Sequence, residues 1–277
     1  LKKLLLNLYY WPMFLLVTAI AIGISPLLLL GNLLIFRLPI DRLIRQSIRV
    51  YGWFLIRVVP FMAPVTLDDQ SGGFDRPVIF VPNHNSSIDP YLFGLLPLDN
   101  AFVTSWPFRI PFYNLFMHLA GYIDSTRGWH HVKARGRELL ARGCSLIIWP
   151  EGHRSRDGRL RRFKNGAFQL ALATGRPIVP VCILGSRRML PPGNRFLNPA
   201  RIRVILLPQV LPQGDPGNPN DIKALKMRTR DVIARTQRQQ ARKQKTTDDL
   251  PALCESKPDS YCRPGETVCP TVRHAEP

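Results

Sequence analysis

Val81-Pro82-Asn83-His84-Asn85-Ser86-Ser87-Ile88-Asp89-Pro90 carries an apolar run into a polar turn and on to a helix start. The run Val78–Val81 is short and wholly apolar, the pattern of a strand buried on both faces. Asp89-Pro90 suits the beginning of a helix, an acidic cap followed by proline at the first helical position. The same alternation recurs along the chain. Candidate strands are Val65–Leu67, Val78–Val81, Ala101–Thr104, Ser145–Trp149, Ile178–Ile183 and Ile202–Leu207. Candidate helices are Tyr91–Leu96, Pro111–Leu119, His131–Arg142 and Asn165–Thr174, with a last helix starting at Asn220 or Asp221. Short apolar strands separated by helices predict an α/β fold, a mixed and mostly buried sheet flanked by helices.

Within the opening stretch, His84 precedes Asp89 by five residues. On a continuous helix these side chains would stand about 140° apart; across a turn they can converge. An aspartate on one ring nitrogen makes a histidine a tuned general base for a hydroxyl. The plainer alternative is a helix cap beside an ordinary loop histidine. A second stretch, Ile148-Trp149-Pro150-Glu151-Gly152-His153-Arg154-Ser155-Arg156-Asp157-Gly158, also leaves an apolar strand. Loops at strand ends are where α/β sheets hold ligands, and its arginines suit an anionic group. Its alternative is a surface turn, since Asp157-Gly158 is a strong turn signal.

Further out, the chain of 277 residues carries a net charge of +19, which calls for an anionic partner, nucleic acid or an anionic membrane. The tail Thr246–Pro277 contributes −3, so residues 1–245 carry +22. Between Lys3 and Arg37 there is no charged residue, a run able to span a bilayer. Pro12, Gly23, Pro26 and Gly31 interrupt it, and bases flank both ends, which favours a broken helix or a hairpin that dips in and returns. The next segment, Ile40 to Val59, mixes arginines with aromatics; it reads as an interfacial helix or as one packed on the soluble domain. The expected organisation is 1–62 for membrane-anchoring helices, 63–245 for the main domain and 246–277 for a disordered tail. Cys144 and Cys182 read as core; Cys254, Cys262 and Cys269 lack metal-site spacing. The pair His130-His131 reads as a surface pair. No nucleophile elbow, H-E-x-x-H, Walker-A loop or dinucleotide fingerprint occurs.

Taken in order, the two stretches resemble the glycerolipid acyltransferase family, whose best-known members are the 1-acylglycerol-3-phosphate (lysophosphatidate) acyltransferases. The family's histidine and aspartate motif is met by His84 and Asp89. Its Phe-Pro-Glu-Gly-Thr-Arg-Ser motif is matched by Trp149-Pro150-Glu151-Gly152-His153-Arg154-Ser155, with two substitutions. Its Pro-Ile-Val-Pro-Val strand appears at Pro177–Val181, and its glycine-to-arginine motif is loosely met from Gly121 to Arg127. The likeness covers about Pro77 to Ser186. It implies an O-acyltransferase that moves a fatty acyl group from acyl-CoA or acyl-carrier protein to the hydroxyl of 1-acylglycerol-3-phosphate. His84 would be the base, Asp89 its partner, and Glu151, Gly152, Arg154 and Arg127 the acceptor-binding residues. No covalent intermediate, metal or cofactor is implied, and a membrane location with the active site on the cytoplasmic side is expected. His153 in place of threonine, and Asp124 standing earlier than usual, leave glycerol-3-phosphate, another lysophospholipid or a lyso-aminolipid open as acceptor. The rival class is a non-catalytic membrane- or nucleic-acid-binding protein. Nucleic acid is not expected as a partner, because Arg228–Lys245 contains no aromatic for base stacking.

Overall fold

The computed structural model describes residues 1–57 and 64–255, with side chains through residue 243. In chain order the elements are α1 (Lys2–Gly31, continued by a π-helical turn Asn32–Phe36), α2 (Ile40–Arg57), β1 (Val65–Asp69), β2 (Ile79–Pro82), α3 (Asp89–Leu92), β3 (Asn100–Thr104), α4 (Tyr113–Leu119), β4 (Ile123–Asp124), α5 (Trp129–Ala141), β5 (Ser145–Ile148), α6 (Gly166–Thr174), β6 (Ile178–Leu184), α7 (Ser186–Met189), β7 (Ile202–Leu206) and α8 (Pro219–Glu255). The seven strands lie in the order β1-β7-β6-β2-β5-β3-β4. All pairs are parallel except β6 with β7, so the sheet is mixed, as expected. Ile79, Phe80, Val81, Leu146, Ile147, Val179 and Val181 are fully buried, which is why these strands are apolar without alternation. The parallel strands β6, β2, β5, β3 and β4 end on one edge of the sheet, and every loop singled out above leaves from that edge.

The apolar leader does not break. α1 and its π turn run as one helix, Lys2–Phe36, long and apolar enough to cross a membrane. Pro26 removes a donor and would orphan the carbonyl of Ile22, but the Ser25 hydroxyl donates to that carbonyl at 2.7 Å, so the helix continues. The reversal comes later, at Arg37 in the left-handed region (φ 50°), where Asn32 donates to the Leu38 carbonyl and accepts from its N–H, both at 2.9 Å. The hairpin is therefore formed by α1 with α2 and not within the apolar run. One stripe of α1, Leu6, Tyr10, Phe14, Thr18, Ala21, Ser25 and Leu29, is packed inward at helical spacing, and the opposite face, with Leu8, Leu15, Leu16, Ile20 and Leu27, is exposed and apolar. Its first turns are fixed to the domain by Asn7, which accepts from Leu197 N–H at 2.8 Å and donates to Leu197 O at 2.9 Å.

α2 packs on the domain by one face and leaves aromatic side chains exposed on another. Arg45 is buried and donates to both carboxylate oxygens of Asp99 at 2.7 and 2.9 Å, and to Asp41 and the Ala120 carbonyl at 3.0 Å. Gly94, in the turn after α3, lies so near α2 that a Cβ there would stand 2.5 Å from Trp53 N. Trp53, Phe54 and Val50 face outward. Thr18 of α1 and Tyr51 of α2 share a 2.8 Å hydrogen bond.

The start of α8 buries Ile222, Leu225 and Ile233 in one compact unit, Leu1–Gln237, and the chain from Arg238 forms a separate unit. The helix runs to Glu255, into the segment expected to lack structure; the remainder of that segment, 256–277, lies outside the described residues. Strand β4, two residues long, and the single-turn α7 were too short for the pattern to announce.

Candidate active site

The strand β2 ends at Pro82, and Asn83 then locks the departing chain to β6. Its side chain accepts from Ile183 N–H at 2.7 Å and donates to Ile183 O at 2.9 Å. The next residue, His84, is half-buried, and its Nδ1 stands 2.9 Å from Asp89 Oδ2. The same oxygen accepts from Asn85 N–H at 2.7 Å and Ser86 N–H at 2.8 Å, and Asp89 is 0 % exposed. The carboxylate thus faces back into the turn and makes no capping bond to α3. A carboxylate so held keeps the proton on Nδ1 and leaves Nε2 as the proton acceptor.

The second loop, leaving β5 next to β2, is tied to the first by two backbone links. Ser155 N–H donates to His84 O at 2.7 Å. His84 N–H donates to Glu151 Oε1 at 2.9 Å, and Arg161 N–H donates to Glu151 Oε2 at 3.0 Å. Glu151 is buried, and burial pushes its pKa above the usual carboxylate range against the pull of the two N–H donors. It builds the loop from within and lines neither cavity described below. Gly152 adopts φ +71°, and a Cβ there would stand 2.7 Å from Lys164 Nζ; it shapes the turn and lines neither cavity.

Two cavities meet at these loops. One, of about 780 Å³, is lined mainly by apolar side chains, among them Trp149, Phe102, Tyr113, Met117 and Phe14, and reaches His84. The other, of about 820 Å³, is lined by His153, Arg154, Arg156, Arg161, Pro192 and Gly193. Arg154 and Gly193 border both. Arg127 is exposed at the end of β4, three strands from β2 and hence about 14 Å across the sheet, and lines neither cavity. Of the six residues singled out by sequence, His84 and Asp89 converge, Arg154 faces the cavities, Glu151 and Gly152 shape the loop, and Arg127 stands apart.

Trp149 carried no role in the sequence reading. Its ring lies 4.9 Å from the His84 ring and stacks on Phe102 at 5.6 Å, forming the wall against which the imidazole rests. Asn83, within the first quoted stretch, and Arg161, three residues past the second, were also unassigned; Arg161 lines the basic cavity with His153 and Arg156. Burial raises Tyr91 and Tyr122 well above the ordinary phenol range and pushes Tyr113 up to about 12, so these cavity tyrosines stay neutral. The thiols of Cys144 and Cys182, also raised first by burial, are pushed up to about 12 and are not activated nucleophiles. Among the described residues no group of three or more His, Cys, Asp or Glu comes together as a metal site requires. The arrangement offers one oriented base between an apolar and a cationic compartment.

Comparison with known proteins places the chain beside acyltransferases. Residues 62–184 match the acyltransferase family model. A chloroplastic 1-acyl-sn-glycerol-3-phosphate acyltransferase of Brassica napus is 33% identical over 161 residues, 56% of this chain and 47% of that protein. One from Arabidopsis thaliana is 33% identical over 162 residues, 56% of this chain and 45% of its own. The chain thus spans about half the length of these curated relatives. The fold is shared with the crystal structure of the 1-acyl-sn-glycerophosphate acyltransferase of Thermotoga maritima (TM-score 0.67, 23% identity, 85% of this chain and 95% of that one). With His84 and Asp89 in contact at the end of β2 and Arg154 at the neighbouring loop, the chain is similar over residues 62–184 to the acyltransferase family and, beyond it, to the 1-acyl-sn-glycerol-3-phosphate acyltransferases.

Proposed function

We propose that the protein moves a fatty acyl group from a thioester, acyl-CoA or acyl-carrier protein, to the free hydroxyl of 1-acylglycerol-3-phosphate, giving phosphatidate for phospholipid synthesis. The observation that carries this reading is His84, held by Asp89 at 2.9 Å, at the wall of an apolar cavity that meets a cationic one. Apolar volume of this size suits a lipid chain, since ligand pockets run about 300–1,000 Å³. The arginines suit the acceptor's phosphate, with Arg154 at the junction. His84 Nε2 takes the hydroxyl proton as the acceptor oxygen attacks the thioester carbonyl. The ester C–O bond forms, the C–S bond breaks, and the thiolate leaves with the proton that the imidazolium returns. Asp89 holds the tautomer and stabilises the imidazolium in between.

The exposed apolar face of α1, tied to the domain near its start and turned back into α2 at its end, is read as lying in one leaflet, with the catalytic domain on the cytoplasmic side where the flanking bases belong. A second reading keeps the chemistry and changes the acceptor to another phosphate-bearing lysolipid; it is favoured by His153, which adds a titratable donor to the cationic cavity. Assaying purified protein with a panel of lysolipids and both donors distinguishes the two. His84→Ala should lower turnover by about 10²–10⁴-fold with the fold retained; a loss under about tenfold would remove His84 as the base.

A further inference from the structure

Between β3 and β4 the chain reads Trp106-Pro107-Phe108-Arg109-Ile110-Pro111-Phe112-Tyr113-Asn114-Leu115, and no acidic residue occurs from Asn100 to Ile123. This loop turns three large apolar side chains outward while Phe108 packs on the core: Trp106 is 69 %, Phe112 87 % and Leu115 56 % exposed. Phe112 has φ 62° and ψ −38°, and Tyr113 N–H donates to Pro111 O at 2.7 Å, closing a three-residue turn of the rare, strained kind. The strain serves to aim a phenylalanine away from the protein. In water that placement gains nothing.

The inner side of the same loop is part of the catalytic cavity. Trp106, Ile110 and Tyr113 line it together with Phe14 of α1, Ile48 of α2 and His84. Trp106 is thus both exposed and cavity-lining, which puts it on the rim. That rim adjoins α1, whose outer face is apolar, and α2, which exposes Trp53 and Phe54. Arg109, also exposed, is the loop's one fixed charge and suits a lipid phosphate.

We propose that the loop Trp106–Leu115 is a second membrane-inserting element, which sinks its aromatic tip into the headgroup–acyl boundary beside α1 and so opens the cavity directly to lipid. Continuity with the apolar face of α1 around one rim identifies the occupant as the bilayer. Aromatic side chains with a neighbouring base are the residue types that settle at this depth. The consequence for acyl transfer rests on the function proposed above; the insertion itself does not.

Two measurements on the full chain separate those parts. With Cys254, Cys262 and Cys269 changed to serine, a fluorescent label is placed on Phe112→Cys or, as control, on Asp75→Cys. Asp75 is exposed before β2, at the opposite edge of the sheet from His84. In vesicles of phosphatidylethanolamine and phosphatidylglycerol, label 112 should be quenched by lipids with an interfacial nitroxide and shielded from iodide, with the reverse at 75. Equal iodide quenching at both positions overturns the proposal. So does shielding of label 112 from both quenchers that grows with protein concentration, which would mean a second copy covers the loop. In the second measurement, Phe112→Gly with Leu115→Gln relieves the backbone strain and removes the apolar tip. The rate on vesicle-embedded acceptor should fall about fivefold or more, while that on a short-chain acceptor below its aggregation concentration stays within about twofold. Equal losses on both substrates, or none on vesicles, reject the role. If the parent acylates no lysolipid, the proposed function fails, and the quenching result still decides the insertion.

Discussion

Replacing Glu151 with glutamine separates building the site from binding the substrate. Glu151 is 4 % exposed, and each of its oxygens accepts one backbone N–H, from His84 at 2.9 Å and from Arg161 at 3.0 Å. Glutamine offers one acceptor oxygen, so its amide nitrogen would have to face one of those donors. One charge-assisted hydrogen bond, about 1.5–3 kcal/mol, is lost and a donor is set against a donor. Removing a buried charge offsets part of this, as the upward push on the Glu151 pKa indicates. The net cost should be about 2 kcal/mol, or a melting temperature lower by about 4–8 °C for a unit of this size. Because the link is to the backbone of His84, the base should shift, and kcat should fall about 10–100-fold with the acceptor KM little changed. Thermal unfolding by circular dichroism and steady-state kinetics at saturating donor read both effects. If Glu151→Gln melts like the parent and raises the acceptor KM at unchanged kcat, Glu151 binds the acceptor and the reasoning is refuted.

Three further outcomes are expected. Arg154→Ala should weaken acceptor use in a way that persists at high salt, by roughly 2–5 kcal/mol, whereas Arg162→Ala, outside both cavities, should have a small, salt-screened effect; equal defects in kcat/KM would favour a diffuse basic surface. The intact protein should remain with membranes through washes at about 1 M salt, because screening leaves the burial of the α1 apolar face untouched; quantitative release into the supernatant would contradict the leaflet placement. Burial pushes Asp41 upward, but hydrogen bonds and charge from Arg45 and Arg142 outweigh it and hold its pKa below the ordinary 3.8. Its folded-state pKa is therefore depressed, and the stability it supplies is present above about 3.8 and lost as pH falls through the folded value. Melting curves should decline more steeply with acidification for the parent than for Asp41→Asn; parallel declines would discount the pair.

Much of this protein is legible in its sequence. The candidate strands, the main helices and the mixed buried sheet follow from periodicity, and periodicity is set by which face each residue shows to the core. The approach of His84 to Asp89 was one of two readings, because five residues of chain fix a maximum distance and not a direction. The leader reads from sequence as a broken helix or a hairpin and is instead one helix, since Pro26 weakens a helix on propensity alone while the Ser25 hydroxyl restores the lost bond. Glu151 is read from sequence as an acceptor-binding residue and Trp149 as no site residue, and the contacts each makes depend on a partner far along the chain: Glu151 meets His84 across 67 residues.

The sequence by itself determined the apolar runs that must be buried, the turns that end them, and the chemical types that stand at the strand ends, because these are properties of a residue and its near neighbours. Only the tertiary structure decided which carboxylate holds the histidine and which holds the loop, that α2 closes the hairpin, that Arg154 faces the cavities while Arg127 does not, and that a strained phenylalanine stands exposed on the loop whose Trp106 lines the cavity. Strand order sets those outcomes. Neighbours in the sheet, β2 beside β5 and β4 three strands away, are chosen by packing over the whole core, and no local stretch of sequence carries that information.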